Sequence, residues 1–269
     1  MPPPPNSDRA SDSAPDLAPP PGQAEGKREQ VAAMFDRIAP RYDLLNRTLS
    51  LGIDVRWRKR AIRVLSDRLT GPPERLLDVA TGTADLAIAA HEALQPAETI
   101  GVDPSEGMLA YGREKVAERG LDLLTNGNGV GDGTGIRLDV GASEALPYPD
   151  AHFDGVLVAF GVRNFENLRA GLAEIRRVLR PDAPLVVLEF SRPRTPGLRQ
   201  AYQFYFTQVL PRIGRTVSGD SGAYTYLPES VKVFPDGDDF LREMRETGYR
   251  DLRSEPLTFG IASLYSGLA

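Results

Sequence analysis

Apolar positions along this chain gather into short runs separated by amphipathic stretches. From Arg75 to Asp103 the sequence reads RLLDVATGTADLAIAAHEALQPAETIGVD. Leu76, Leu77 and Val79 form an apolar run that ends in the turn-forming cluster Ala80-Thr81-Gly82-Thr83. An alanine- and leucine-rich helical stretch follows, and a second apolar run, Thr99 to Val102, closes on Asp103. Strand, tight turn, helix, strand is the first βαβ unit of a nucleotide-binding α/β sheet. The rhythm continues. Ser105 to Arg119 is helical, with Met108, Leu109 and Val116 inward, and Ile136 to Val140 is a third strand. Gly155 to Phe160 (GVLVAF) is a fourth, apolar almost throughout, as a strand covered on both faces should be. Phe165 to Arg180 reads as a helix with Leu168, Leu172, Ile175 and Leu179 on one side, and Leu185 to Phe190 (LVVLEF) as the fifth strand. Asp238 to Thr247 is a further helix, and Leu257 to Tyr265 (LTFGIASLY) reads as the last strand.

Three segments depart from this rhythm. Residues 1–26 are dense in proline, serine and alanine and cannot bury enough apolar surface to offset their ordering entropy, so they read as a disordered tail. Residues 27–70 read as a helical lid. Val31, Met34, Phe35 and Ile38 fall at helical spacing, Pro40 is expected to stop that helix, and Tyr42 to Asn46 begins another turn. Asp54 is placed as the N-cap of a helix reaching Leu69, with Trp57, Ala61, Leu65 and Leu69 inward and Arg56, Arg58, Lys59, Arg60 and Arg63 between them. A solvated face and a face toward acidic lipid heads both fit that charge. Gly71-Pro72-Pro73 separates the lid from the sheet domain, residues 71–269. Within that domain, residues 121–135 carry Asn-Gly-Asn-Gly and Val-Gly-Asp-Gly and read as a mobile loop. An insertion over 191–235 is unlike a sheet-covering helix: Ser191 to Gly219 holds five arginines, no acid, and Tyr202, Phe204, Tyr205 and Phe206.

Composition removes several classes. The formal net charge of −5 requires no nucleic-acid partner, and the lack of cysteine excludes disulfides, thiolate metal sites and cysteine nucleophiles. Two histidines leave no histidine metal cage, so no metal is expected. No run approaches the roughly 18 apolar residues that span a bilayer, and the N-terminus lacks a secretory pattern, so a cytoplasmic protein is expected.

The turn itself narrows the ligand. A dinucleotide fingerprint wants three glycines so that backbone can approach a pyrophosphate. Here only Gly82 stands, with Ala80 and Ala84 where glycines are often found. Asp78, at the end of the first strand, would repel phosphate but suits an amino-acid ammonium. Asp103 lies where such units hydrogen-bond a ribose. S-adenosyl-L-methionine has the ammonium and the ribose and no phosphate, which favours it over NAD. His91 and His152 lie away from the strand C-termini and read as surface or loop histidines. Arg163 and Asn164 follow the fourth strand on the ligand-binding edge, where they either orient an oxygen-bearing substrate or serve as an ion pair and a helix cap.

With these positions in view the chain resembles the UbiE/MenG family of quinone-biosynthesis C-methyltransferases from about Gln30 onward. The likeness rests on FDRIAPRYDLLNRTLSLGID, LLDVATGTADLA, GVDPSEGML, EALPYPDAHFD, FGVRNFENL, LVVLEFSRP, YFTQVLPRIG and YTYLPESVKVFP. It implies a Rossmann-like class I fold, a seven-stranded, mostly parallel sheet with helices on both faces, whose last strand is antiparallel. It also implies a cofactor site at Asp78, Gly82, Thr83, Asp103, Ala142 and Ser143. Relatives usually carry Asp-Ala or Asn-Ala where this chain has Ala142-Ser143, so backbone amides or the Ser143 hydroxyl must take over the adenine contact. Ala159 stands where some relatives have a serine. The implied reaction methylates a ring carbon of demethylmenaquinol, with Arg163, Asn164 and Tyr42 as the catalytic candidates. A 2-polyprenyl-6-methoxy-1,4-benzoquinol of ubiquinone synthesis is the alternative acceptor, and a non-catalytic S-adenosylmethionine-binding scaffold is the alternative of another class. The partners implied are a polyprenylated quinol, an anionic membrane surface touched peripherally and a second copy of the chain in a homodimer.

Overall fold

A computed structural model describes residues 26–50, 52–123, 134–194, 197, 200, 204 and 222–269. The Pro-rich tail, the Asn-Gly loop and most of the basic aromatic stretch from 191 to 219 lie outside these residues. The apolar runs become the strands of one sheet: β1 (Arg75–Val79), β2 (Glu98–Asp103), β3 (Gly135–Val140), β4 (Gly155–Ala159), β5 (Pro184–Phe190), β6 (Arg250–Leu257) and β7 (Ala262–Leu268). Their order is β3-β2-β1-β4-β5-β7-β6. The first five run parallel, and β7 and β6 are antiparallel additions at one edge.

Alternation along the central strands decides the layers. Leu185 and Val187 of β5 face one side, with Leu77, Val79, Val156 and Val158, against helices α5 (Leu168–Val178) and α7 (Asp238–Glu246). Val186 and Leu188 face the other, with Leu76, Leu157 and Leu264, against α2 (Ile53–Arg68) and α3 (Asp85–Leu94). Trp57, Ala61, Ile62 and Leu65 of α2 belong to this second core, so α2 is a structural layer of the sheet. The helix α4 (Glu106–Glu118) closes the β3 edge with Leu109 and Val116 on Ile136 and Leu138, and its N-cap is Ser105. The helix α1 (Lys27–Ser50) packs on α4, α2 and α6 (Gly222–Val233).

Four expectations are corrected. Pro40 does not stop the first helix: α1 continues through it to Ser50. Proline removes a single amide donor, and the buried Val31, Met34, Ile38 and Ala39 hold the helix against its neighbours. The N-cap position of α2 is Gly52, in the left-handed region at φ 74°, while Asp54 lies buried inside the first turn and pairs with Arg58. The stretch read as a last strand, Leu257 to Tyr265, is instead the end of β6, a 3-10 turn at Thr258–Gly260 and the first half of β7. His91 is buried, with Nδ1 2.9 Å from the Thr99 hydroxyl, and is a core residue where a surface one was expected.

The strand order reverses at β1, and the ligand crevice of an open α/β sheet opens outside the strand C-termini at that point. Two turns must pass each other closely there. Ala80 sits at φ 56°, and a methyl added to Gly161 would fall 2.4 Å from the Ala80 Cβ. Neither backbone has a flexible end to yield. Gly161→Ala is therefore expected to cost roughly 1–3 kcal/mol of stability. Ala80→Gly added to it should recover most of that loss, because it removes the opposing methyl and suits the positive φ. Thermal melts of the two proteins test this, and an unchanged melting temperature in Gly161→Ala refutes it.

Candidate active site

The crevice encloses about 520 Å³ of space, part of it open to solvent, and α1 lies across it. Val79, Asp103, Ala142, Ser143 and Asn164 line it from the sheet edge, and Phe35 from α1. Its walls are built on Asp103. One carboxylate oxygen accepts the Gly82 amide at 2.9 Å and the other the Ser105 amide at 2.9 Å, so the turns after β1 and β2 are joined through one side chain. Burial raises the Asp103 pKa to about 6 even though both amides favour the charged form.

Asp78 is the second buried acid. Its Oδ2 accepts from the Thr81 hydroxyl at 2.7 Å, and its Oδ1 is buried with no partner. Burial raises its pKa to about 7, and the nearby Asp103 adds to the rise. A buried acceptor without a donor, beside a second carboxylate, suits a ligand that brings a cation. The methyls of Ala80 and Ala84 fill space that a pyrophosphate-binding turn keeps clear. The observed donors and acceptors therefore fit S-adenosyl-L-methionine.

Thr83 is buried and serves α1: its hydroxyl donates to Asp43 Oδ1 at 2.6 Å. Lys115 of α4 donates to Asp43 Oδ2 at 2.8 Å and to the Thr83 hydroxyl at 3.0 Å, and pairs with Asp85. One helical face of α1 also offers Asp36, which accepts the Ser105 hydroxyl at 2.6 Å and the Gly107 amide at 2.9 Å at the start of α4. The Lys27 ammonium donates to the carbonyls of Arg163 and Phe165. These contacts hold α1 over the crevice at both ends. Tyr42 packs edge-on against Phe35, and its ring carbon is 3.9 Å from where a Gly82 Cβ would lie, which puts it over the turn.

The 3-10 turn Val162–Asn164 follows β4. Asn164 faces the crevice, and its side-chain oxygen accepts the Tyr226 hydroxyl of α6 at 3.1 Å, leaving the amide donors for another partner. Asn164 is not a helix cap; Asn167 caps α5. The Arg163 guanidinium is turned toward β5, where it pairs with Glu189 at 2.7 Å. Glu189 and Tyr226 were not singled out by sequence reasoning. The only signals were their places in LVVLEFSRP and YTYLPESVKVFP. Ser143 donates to Glu144 at 2.9 Å, and Glu144 accepts the amides of Glu166 and Asn167, so that loop is tied to the start of α5.

Sheet order, crevice and acid placement together give the class I methyltransferase fold with a site suited to S-adenosyl-L-methionine. The chain belongs to the ubiE/COQ5 methyltransferase family, whose profile matches residues 23–269. It is 46% identical to the demethylmenaquinone methyltransferase of Deinococcus radiodurans over 93% of this chain and 96% of that one. It is 45% identical to the ubiquinone/menaquinone biosynthesis C-methyltransferase UbiE of Geobacter sulfurreducens over 90% and 89% of the two chains. Among solved structures, the [4+2]-cyclase SpnF superposes with a TM-score of 0.62 at 16% identity, covering 90% of this chain and 95% of that one. A SAM-dependent methyltransferase from Aquifex aeolicus superposes at 0.52 and 18% identity, covering 77% and 88%. Those two likenesses speak to the fold alone.

The acid pair carries a pH signature. An unfolded aspartate titrates near 3.9, whereas folded Asp78 titrates at about 7. Between those values the folded protein holds a proton that the unfolded chain has released. Stability from this group therefore falls as pH rises through the window and is level above it. In the cofactor-free protein Asp78→Asn should flatten the decline in melting temperature between about pH 5 and 7. An identical decline in both proteins would exclude a proton on Asp78.

Proposed function

We propose that the protein transfers the methyl group of S-adenosyl-L-methionine to a ring carbon of a demethylmenaquinol, giving the menaquinol. The observation that carries this acceptor is the match, along nearly the full length of both chains, to proteins named for that reaction. The Arg163–Asn164 turn at the crevice edge supports it.

The bound cofactor supplies an electrophilic methyl on a sulfonium sulfur. The chain's residues must align the acceptor carbon with it and manage protons. Asp78, whose Oδ1 lacks a partner, would take the cofactor's ammonium, and Asp103, whose oxygens each keep a lone pair beyond the amides, would take the ribose hydroxyls. Ala142 and Ser143, which line the crevice, would take the adenine. A ring carbon becomes nucleophilic when the neighbouring hydroxyl gives up its proton, so the quinol and not the quinone is the substrate. Arg163 stabilises the resulting oxyanion, Asn164 with water relays the proton, and Tyr42 covers the reacting groups. Carbon–carbon bond formation accompanies carbon–sulfur cleavage, and the ring hydrogen leaves as a proton.

Incubation with labelled cofactor and each reduced acceptor tests the reading. Label in menaquinol is expected; label only in the 6-methoxy-benzoquinol product, or in neither, overturns it. Arg163→Ala should lose about 10²–10³ in kcat at unchanged cofactor affinity.

A polyprenyl tail brings the acceptor to a bilayer, and the outward face of α2 is the contact surface proposed. Arg58 and Arg60 are committed to Asp54, Asp85 and Glu255, whereas Arg56, Lys59 and Arg63 are exposed. Beside the start of α2, at the tip joining β6 and β7, Phe259 is 79% exposed, and Thr258 accepts the Trp57 indole N–H. Among the described residues no helix is long and apolar enough to cross a membrane. Flotation with acidic vesicles should carry the protein at low salt, and charge reversal of Arg56, Lys59 and Arg63 should abolish it. Failure of the unaltered protein to float at low salt would sink the membrane contact.

A further inference from the structure

Glu189 is the most deeply buried acid beside the site, and the chemistry above leaves it without a task. Its side chain has 0% exposure and that of its partner Arg163 has 7%. Stability alone is a poor reason for the pair, because apolar residues of similar volume generally serve as well as a buried ion pair. The geometry offers a better reason. Glu189 Oε1 accepts from Arg163 Nη1 at 2.7 Å and from the Phe190 amide at 2.8 Å, while Oε2 accepts the backbone amide of Arg163 at 3.3 Å. One carboxylate thus holds both the backbone and the head of the same arginine.

Other groups complete the grip. Nη1 also donates to the carbonyl of Phe160, a residue in the left-handed region at φ 57°. A bulky residue there is strained, and such strain gathers where a backbone group must be aimed. The Phe190 ring lies 5.5 Å from the guanidinium carbon, and Phe160 stacks on Phe190 at 4.6 Å. One edge and one face of the guanidinium are therefore occupied. Nε is buried with no partner, so the edge it forms with Nη2 is the one that carries an unmade hydrogen bond. A buried donor without an acceptor calls for an explanation, and an oxyanion taken on that edge supplies one.

We propose that Glu189 is a positioning residue for methyl transfer: it immobilises Arg163 through Nη1 so that the Nε–Nη2 edge meets the acceptor's oxygen. The proposal rests on the reading that Arg163 acts on the acceptor. A misplacement of the order of 1 Å in such a group costs about a hundredfold in rate.

The test uses the full chain with reduced demethylmenaquinone and labelled cofactor, and compares Glu189→Gln, Glu189→Asp, Arg163→Ala and the Glu189→Gln/Arg163→Ala double variant. Glu189→Gln should lower kcat about ten- to a hundredfold at unchanged cofactor Kd. It should cost nothing further in the Arg163→Ala background, since the two act as one unit. Glu189→Asp keeps the charge and withdraws it by one methylene; it guards against a Gln variant that fails to fold and should still lose kcat. Wild-type kcat in either Glu189 variant, with Arg163→Ala impaired, overturns the proposal alone. So do losses that multiply in the double variant, or a cofactor Kd that weakens in step with kcat, because both mark a merely structural role. Wild-type turnover in Arg163→Ala removes the role of Arg163 and this proposal with it.

Discussion

Two backbone amides from different turns converge on the Asp103 carboxylate, and the rest of the site hangs from that meeting. The Gly82 and Ser105 amides would otherwise be orphan donors at the ends of β1 and β2. With both satisfied by one side chain, the turns cannot drift apart. Ser105 is then set to cap α4 through the Met108 amide and to donate to Asp36. Thr83 is set to receive Asp43. The cover over the crevice is thus an extension of the same network, because Asp36 and Asp43 stand seven residues apart on one face of α1. The cost is a carboxylate kept in a dry place, visible in its raised pKa.

Charge is divided across the crevice in a way that matches two different ligands. On the β1–β2 side lie Asp78 and Asp103, whose pKa values burial raises and whose charged forms a cation would favour. A sulfonium cofactor with an ammonium group brings that cation, and leaves as a product with less positive charge. On the β4–β5 side the order is inverted: a cationic Arg163 sits in front of a carboxylate that holds it without facing the crevice. Under the proposed assignment, charge lost from the cofactor and charge formed on an acceptor oxygen would meet groups of opposite sign, which separates donor from acceptor without covalent chemistry by the protein.

How much of this was legible in the chain depends on whether the cause was local. Four of the parallel strands, β1, β2, β4 and β5, were readable because they are buried along nearly their whole length and therefore apolar, while the edge strand β3 keeps Ile136 and Leu138 inward. Asp78, Gly82 and Asp103 followed from their place at strand ends. β6 was not readable: its RDLRSEPL is exposed along most of its length, as an edge strand protected by charge and proline tends to be, so no apolar alternation marks it. Pro40 misled because tertiary packing outweighs one missing hydrogen bond. Asp54 misled because an acid early in a helix suits either a cap or an ion pair, and Arg58 four residues on decided for the pair. Glu189 and Tyr226 were invisible for a deeper reason. Their partners, Arg163 and Asn164, lie 26 and 62 residues away in sequence. Only the neighbouring of β4 with β5, and of α6 with the 3-10 turn, brings them together.

The SpnF likeness bears on which parts carry specificity. A protein named as a cyclase shares this fold, so the fold alone does not select a reaction. What distinguishes this chain has to come from the side chains placed on that scaffold. α1 brings Phe35 and Tyr42, α6 brings Tyr226 to orient Asn164, and the end of β5 brings Glu189 to orient Arg163. Phe35 lines the crevice directly, whereas Tyr226 and Glu189 bear on it through Asn164 and Arg163. Under the proposed assignment, acceptor chemistry can therefore be tuned through the orienting residues Glu189 and Tyr226 without a change in Arg163 or Asn164.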